Sequence, residues 1–432
     1  MVQIYPVLIC NSAQAGLWPM ARAACPDIFA PLFQGHSVFQ TAALALRGPQ
    51  MARPLVVVVA MAHRFLALGQ LAAVGLEAAD ILALPSPPDA TTALGVAALH
   101  LQATQGTDVG LLAVPLARAL PNLGAVAQAV QAAAPDIAQG QIGQFSPSTG
   151  AGASADTGLW FGRVSALVQA LERDCGTQMR AWRAVLAGAR RDLAFTCLEG
   201  GGGAGGDLAA PTPALGGFAA WPLPGDAGGF QASWQALHQH LGADAQGVAM
   251  AGPVTALGCH DCLLVAGDPG QPLVAIGLGN LLAVALPDAV LVAPMGKAAA
   301  LAPIAQTSFL QKQAPRRVYR PWGWFETLAQ AARFAVRQVV MHPGAQMGLH
   351  SHAQCAEHWV VVAGTAQLRL DYTTRLLPEG QAAYAPAGTV HQLANPGKLP
   401  LTLIELRTGA NLAQEDILRY DTVPVPIPMG RP

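Results

Sequence analysis

Two short strings near the C-terminus constrain the chain more than anything else in it. In the first, Gly344 is followed by five residues, His350-Ser-His352, four residues, Glu357, six residues and Gly364. In the second, Gly380 is followed by five residues, Pro386-Ala-Gly388, two residues, His391, three residues and Asn395. Glycine and proline at such intervals punctuate short strands. Two histidines two apart on a strand send both imidazoles to the same side. Glu357 then comes in from the next strand, and His391 returns from a later one behind a Pro-x-Gly turn. The pattern predicts a small β-barrel over roughly residues 319–419, with His350, His352, Glu357 and His391 converging inside it. Three imidazoles and one carboxylate suit one divalent transition metal (Zn, Co, Mn, Fe or Ni), with room for water or substrate. The plainer alternative, polar residues on a barrel face without metal, fits a lone histidine better than four ligand-type residues in two spaced strings. His358 alternates away from Glu357 and His342 precedes the turn, so neither is expected to be a ligand.

The rest of the chain narrows the class of partner. Its 432 residues leave room for two or three domains. Charged residues are only 11% of the chain and balance to a net -1, without a basic run or stripe, so nucleic acid is not an expected partner. Apolar runs are broken by charge, Gly or Pro before they could span a bilayer; PLVVVVAMAHRFLALGQL carries His63 and Arg64 in its middle. The start, MVQIYPVLIC, lacks a basic n-region and reads as a buried strand. Seven scattered cysteines without secretory features are expected to be reduced thiols in a cytoplasm. Cys259-His-Asp-Cys262 could be half of a zinc site, but no second pair follows, and a buried structural pair is the expectation.

Before residue 120, strand candidates IYPVLIC, PLVVVVA, DILALP and GLLAVP alternate with helical stretches such as HSVFQTAALALRG and TTALGVAALHLQATQG. That alternation predicts a Rossmann-like α/β fold with a mostly parallel sheet. DTGLWFGRVSALVQALERDC predicts a strand running into an amphipathic helix from about Val164. The glycine-rich stretch Glu199 to Gly217 lacks the helix a phosphate-binding loop needs and reads as a surface loop. From about Gly247 to Pro294 the runs CLLVAG, PLVAIGLG and LLAVALPDAVLVAP predict a small β layer, followed by a helix-like segment from Lys297 to Gln313. The expected division is an α/β domain at 1–245, a β linker region at 246–312 and an all-β barrel at 313–432.

The two strings match both motifs of the cupin barrels. The text around them, VYRPWGWFETL, RFAVRQVVMHPG, AEHWVVVAGTAQL, NPGKLPLTLIEL and EDILRYD, resembles the type II phosphomannose isomerases, usually fused behind a mannose-1-phosphate guanylyltransferase. LWPMAR, HRFLALGQL, SWQAL and PDAVLVAP extend that resemblance through the chain. It implies interconversion of mannose 6-phosphate and fructose 6-phosphate, with a metal at the C1 and C2 oxygens and a base moving a proton through an enediol. His350 stands where the family usually has Gln, and Cys355 where it has an Arg expected to help hold the sugar phosphate. The resemblance leaves Arg419, Lys398 and Arg337 as candidate phosphate contacts and Glu405, Tyr384 and His358 as candidates for proton transfer.

In the guanylyltransferase half the resemblance keeps framework and loses charge. The family's Gly-Gly-Ser-Gly-Thr-Arg loop aligns with Asn11 to Gly16, and its following Lys with Asp27. Its Pro-Ala-Asp-His is Pro115-Leu116-Ala117-Arg118, a second metal-binding Asp aligns with Phe230, and its Arg-Asn-Thr-Ala-Pro is Pro88 to Thr92. A carboxylate where a cation should face phosphate is repulsive. The expectation is a transferase domain that keeps its fold and has lost its chemistry, joined to an isomerase acting on a sugar phosphate. Two other readings stay open: a non-catalytic subunit or regulator of polysaccharide biosynthesis, and residual guanylyltransferase activity. Homo-oligomers or association with an active homologue are the partners these readings imply.

Overall fold

A computed structural model describes residues 3–11, 16–33, 35–46, 54–87, 89–116, 123–147, 159–192, 195–198, 218–223, 233–300, 316–412 and 416–421. The chain divides into two compact units, Met1–Ala314 and Pro315–Pro432. The glycine-rich stretch, residues 301–315 and positions Pro88, Ala117, Arg118 and Phe230 lie outside the described residues.

The first unit is built on a nine-stranded sheet whose middle holds the four strands predicted from sequence. Gly110–Pro115, Ile4–Ile9, Leu55–Ala60 and Ala78–Leu84 lie side by side and parallel. Ile4–Ile9 and Leu55–Ala60 are buried at every position, as strands covered on both faces must be. Helices Val38–Ala45 and Ala90–Gln105 fall on the predicted helical stretches. Ser37 opens the first with a reciprocal capping box to Gln40, and Asp89 caps the second through the N–H groups of Thr91 and Thr92. Trp160–Arg163 runs antiparallel to Gly110–Pro115 and leads into the helix Val164–Asp174, which starts at the expected residue.

The β region after residue 246 belongs to this first unit. Ala249–Ala251, Leu263–Ala266 and Leu281–Leu286 are parallel neighbours, closed by antiparallel Ala289–Pro294. Val254–Leu257 pairs in parallel with Leu273–Ile276 in a second small sheet. Between the sheets sit Val248, Cys259, Cys262, Leu264, Ala275 and Ala283, so the two cysteines are free, buried core residues. Leu263, Val265, Leu282, Val284 and Leu291 face Leu17, Val38, Trp234 and Leu237 in a common core.

The second unit is all β. One sheet of six strands runs in the order Arg317–Arg320, Gly323–Ala331, Phe334–Met341, Leu401–Gly409, Cys355–Ala363, Ala382–Ala385. The other, of five, runs Thr373–Pro378, Thr365–Leu370, His391–Ala394, His350–His352, Ile417–Arg419. Their inner faces share one core containing Phe325, Val339, Met341, Trp359, Leu368, Leu393, Leu401 and Leu403. Along Leu401–Gly409 burial alternates with period two, sending Leu401, Leu403, Glu405 and Arg407 inward.

Candidate metal centre

His350, His352 and His391 come from the five-stranded sheet and Glu357 from the six-stranded one. One ligand atom from each lies within 4.8 Å of the other three. Four ligands at about 2.0–2.3 Å from a common ion span nearly that distance. His352 and His391 Nε2 stand 3.0 Å from the two oxygens of Glu357. The rings of His350 and His391 meet at 4.3 Å between centroids.

The ring hydrogen bonds fit a metal. His350 Nδ1 donates to Gly348 O at 2.7 Å and His391 Nδ1 to Thr389 O at 2.9 Å, which leaves each Nε2 with a lone pair facing the cluster. His391 Nε2 is buried without an aligned hydrogen-bond partner. A bound cation satisfies such an atom. Burial, with His391 nearby, depresses the His350 pKa to about 4, so this imidazole is neutral at pH 7. Burial opposes the charge on Glu357, but His352 and His391 more than offset it and hold its carboxyl well below the usual range.

Around the ligands, the structure brings together some candidate residues and separates others. Glu405 is buried two residues from Arg407 on the inner face, with Trp359 Nε1 donating to it at 3.4 Å and Arg337 Nη1 at 3.4 Å. Burial and the neighbouring Glu357 raise its pKa, partly countered by Arg337 and Arg407. Arg419 lies opposite His350 in the strand pairing, with Nη1 3.5 Å from where a Cβ on Gly348 would stand. His358 and Tyr384 face each other across the pairing on the outer surface, rings 4.4 Å apart, on the side of the strand opposite Glu357. Lys398 is exposed before Leu401, roughly 20 Å along the strand from the level of Arg407. The geometry does not bring those three to the His350, His352, Glu357 and His391 cluster.

Three residues were not singled out from sequence. Arg407 reaches Glu357 Oε1 at 3.0 Å, and Asp416 lies 3.7 Å from His352 Nδ1. Arg320 has its pKa lowered by burial and by the charges of Arg337 and Arg419, so three guanidinium groups lie within electrostatic reach. The signal for Arg407 was present in the inward alternation of Leu401, Leu403, Glu405 and Arg407.

In the first unit, the Asp27 carboxylate is 4% exposed and turned inward. It accepts from Gly16 N and Leu17 N, both at 3.1 Å. The backbone amides at the end of the Asn11–Gly16 loop are thus occupied by the chain's own anion. Asp89 takes up the first N–H groups of the helix Ala90–Gln105 in the same manner.

Residues 309–422 match the family description "Mannose-6-phosphate isomerase C-terminal". The xanthan biosynthesis protein XanB of Xanthomonas campestris pv. campestris is 31% identical over 98% of this chain and 99% of its own length. The chain belongs to the bifunctional mannose-1-phosphate guanylyltransferase/mannose-6-phosphate isomerase family. The alginate biosynthesis protein AlgA of Pseudomonas aeruginosa is 31% identical over 97% of this chain and 96% of its own. The mannose-1-phosphate guanylyltransferase ManC of Salmonella typhimurium is 27% identical over 97% and 98%. The crystal structure of a mannose-1-phosphate geranyltransferase from Thermus thermophilus superposes with a TM-score of 0.52, covering 71% of this chain and 99% of that one. At 17% identity it shows the shared fold of the first unit. Among the described residues, no helix is long and apolar enough to cross a membrane.

Proposed function

We propose that this protein interconverts mannose 6-phosphate and fructose 6-phosphate at a metal centre formed by His350, His352, Glu357 and His391. The observation that carries the reading is the convergence of one ligand atom from each of His350, His352, Glu357 and His391 to within 4.8 Å of one another. A divalent transition metal held there supplies Lewis-acid polarisation of the sugar oxygens. Glu405 moves the proton between the two carbons: its raised pKa brings a buried carboxyl closer to the range suited to general acid–base work. Arg337, 3.4 Å from Glu405, keeps it from being held permanently protonated and, with Arg320 and Arg419, offers positive charge for the phosphate. In this reading the protein acts in the cytoplasm, supplying mannose phosphate to GDP-mannose and polysaccharide synthesis.

The first unit acts as a framework that no longer handles nucleotide. The support is the Asp27 carboxylate on the Gly16 and Leu17 amides, which removes donors a phosphate would use and adds repulsion. A second reading, a non-catalytic subunit working beside an active homologue, draws on Cys355 in place of the expected arginine. Purified protein loaded with a divalent transition metal and given mannose 6-phosphate should form fructose 6-phosphate in a coupled assay. No product with any of Zn, Co, Mn, Fe or Ni overturns the isomerase and leaves the second reading.

A further inference from the structure

We propose that Arg407 is a positioning residue of the metal centre, supplying from across the sheet the guanidinium absent at position 355. This rests on the metal-centre reading above. Arg407 is 2% exposed and ranks among the largest fully buried side chains. A guanidinium so deeply buried is costly unless its surroundings answer its charge and its donors. Here Nε stands 3.0 Å from Glu357 Oε1 in an ion pair, Nη2 lies 3.2 Å from His352 Nδ1, and Nη1 donates to Leu412 O at 3.2 Å. One side chain therefore joins two of the four metal ligands to the backbone beyond Gly409. The Cys355 thiol also interacts with this guanidinium.

Strand register explains how the two positions can exchange roles. Glu357 lies directly opposite Arg407, and Cys355 directly opposite Gly409, in the antiparallel pairing of Cys355–Ala363 with Leu401–Gly409. Cys355 and Arg407 are consequently diagonal neighbours on one buried face, within reach for a long side chain. Gly409 places no side chain opposite Cys355. A guanidinium rooted at either position enters the same slot beside the Glu357 carboxylate. With Arg407 Nε beside Oε1, the carboxylate has Oε2 toward His391 Nε2. Arg407 touches ligands rather than substrate, so its effect is on the affinity and geometry of the centre.

The test uses the full chain, stripped of metal and titrated with Zn2+ or Co2+ by calorimetry, with thermal melting in parallel. Arg407→Gln should weaken metal binding by about tenfold or more, the loss typical of an outer-shell partner. Arg407→Lys should do no better, since it keeps the charge but cannot hold Glu357, His352 and Leu412 together. Cys355→Arg alone should lower the melting temperature by crowding two guanidinium groups into one slot. Added to Arg407→Gln, the same substitution should raise it and restore metal affinity. If Arg407→Gln does not fold, recovery of folded, metal-binding protein in the double variant supports the role, and an unfolded double variant overturns it. Metal affinity unchanged in Arg407→Gln, wild-type behaviour in Arg407→Lys, or a Cys355→Arg effect of one sign in both backgrounds also overturns it. A wild-type chain that binds neither ion overturns the centre and the role together; wild-type binding with unaffected variants overturns the role alone.

Discussion

Asp27, which the family resemblance aligns with a lysine, closes its carboxylate against the chain's own amides. Burial pushes its pKa up to about 6 from the ordinary 3.8, against the pull of the Leu17 and Gly16 N–H groups. The folded chain therefore holds this proton more tightly than the unfolded chain does. Its contribution to stability is full below pH 3.8 and is lost as pH rises through about 6. Relative to Asp27→Asn, which does not titrate, the wild type should lose melting temperature between about pH 4 and pH 6.5, with little further change above. A difference that is flat in pH contradicts this account. The convergence of His350, His352, Glu357 and His391 was legible at this scale because spacing alone fixes which side of a strand each one faces. Arg407 was not, because its partner Glu357 is fifty residues away in sequence and adjacent only through strand pairing. Tyr384 and His358 are chemically able groups, but alternation turns them outward.

At the scale of the element, Leu401–Gly409 organises the site. It pairs with Phe334–Met341 on one side and Cys355–Ala363 on the other, and it carries both Glu405 and Arg407. Its last residue has to be small: a Cβ on Gly409 would stand 2.0 Å from Gln354 O and 2.8 Å from Cys355 Cα. Gly409→Ala should force the start of Cys355–Ala363 outward, destabilising the chain by about 1–3 kcal/mol as overpacking does. Chemical denaturation measures this, and a variant as stable as wild type would contradict the tight register. The parallel strands of the first unit were readable because continuous apolar runs alternate with helical periods. The β region after residue 246 was readable as strands but not as a parallel stack. Parallel pairing joins residues nearly twenty apart, as Leu257 joins Ile276, and no local pattern announces it. Its shared core with Leu17, Trp234 and Leu237 was equally invisible from sequence.

For the whole molecule, one unit keeps a nucleotidyltransferase-like fold and the other carries the four-residue candidate metal centre. A fold can outlast its site because packing and catalysis depend on different residues, and the proposed function has the first unit in that state. Calorimetry with GTP and millimolar Mg2+ should therefore show no saturable binding; a micromolar dissociation constant, worth about -8 kcal/mol, would show that the first unit still holds triphosphate. In the proposed function, one metal per chain drives isomerisation. Metal-stripped protein should be inactive on mannose 6-phosphate. Turnover should then rise linearly with added divalent metal and break at one equivalent, while Glu357→Gln needs far more metal to reach any activity. Turnover that survives stripping, or that shows no break at one ion per chain, contradicts it.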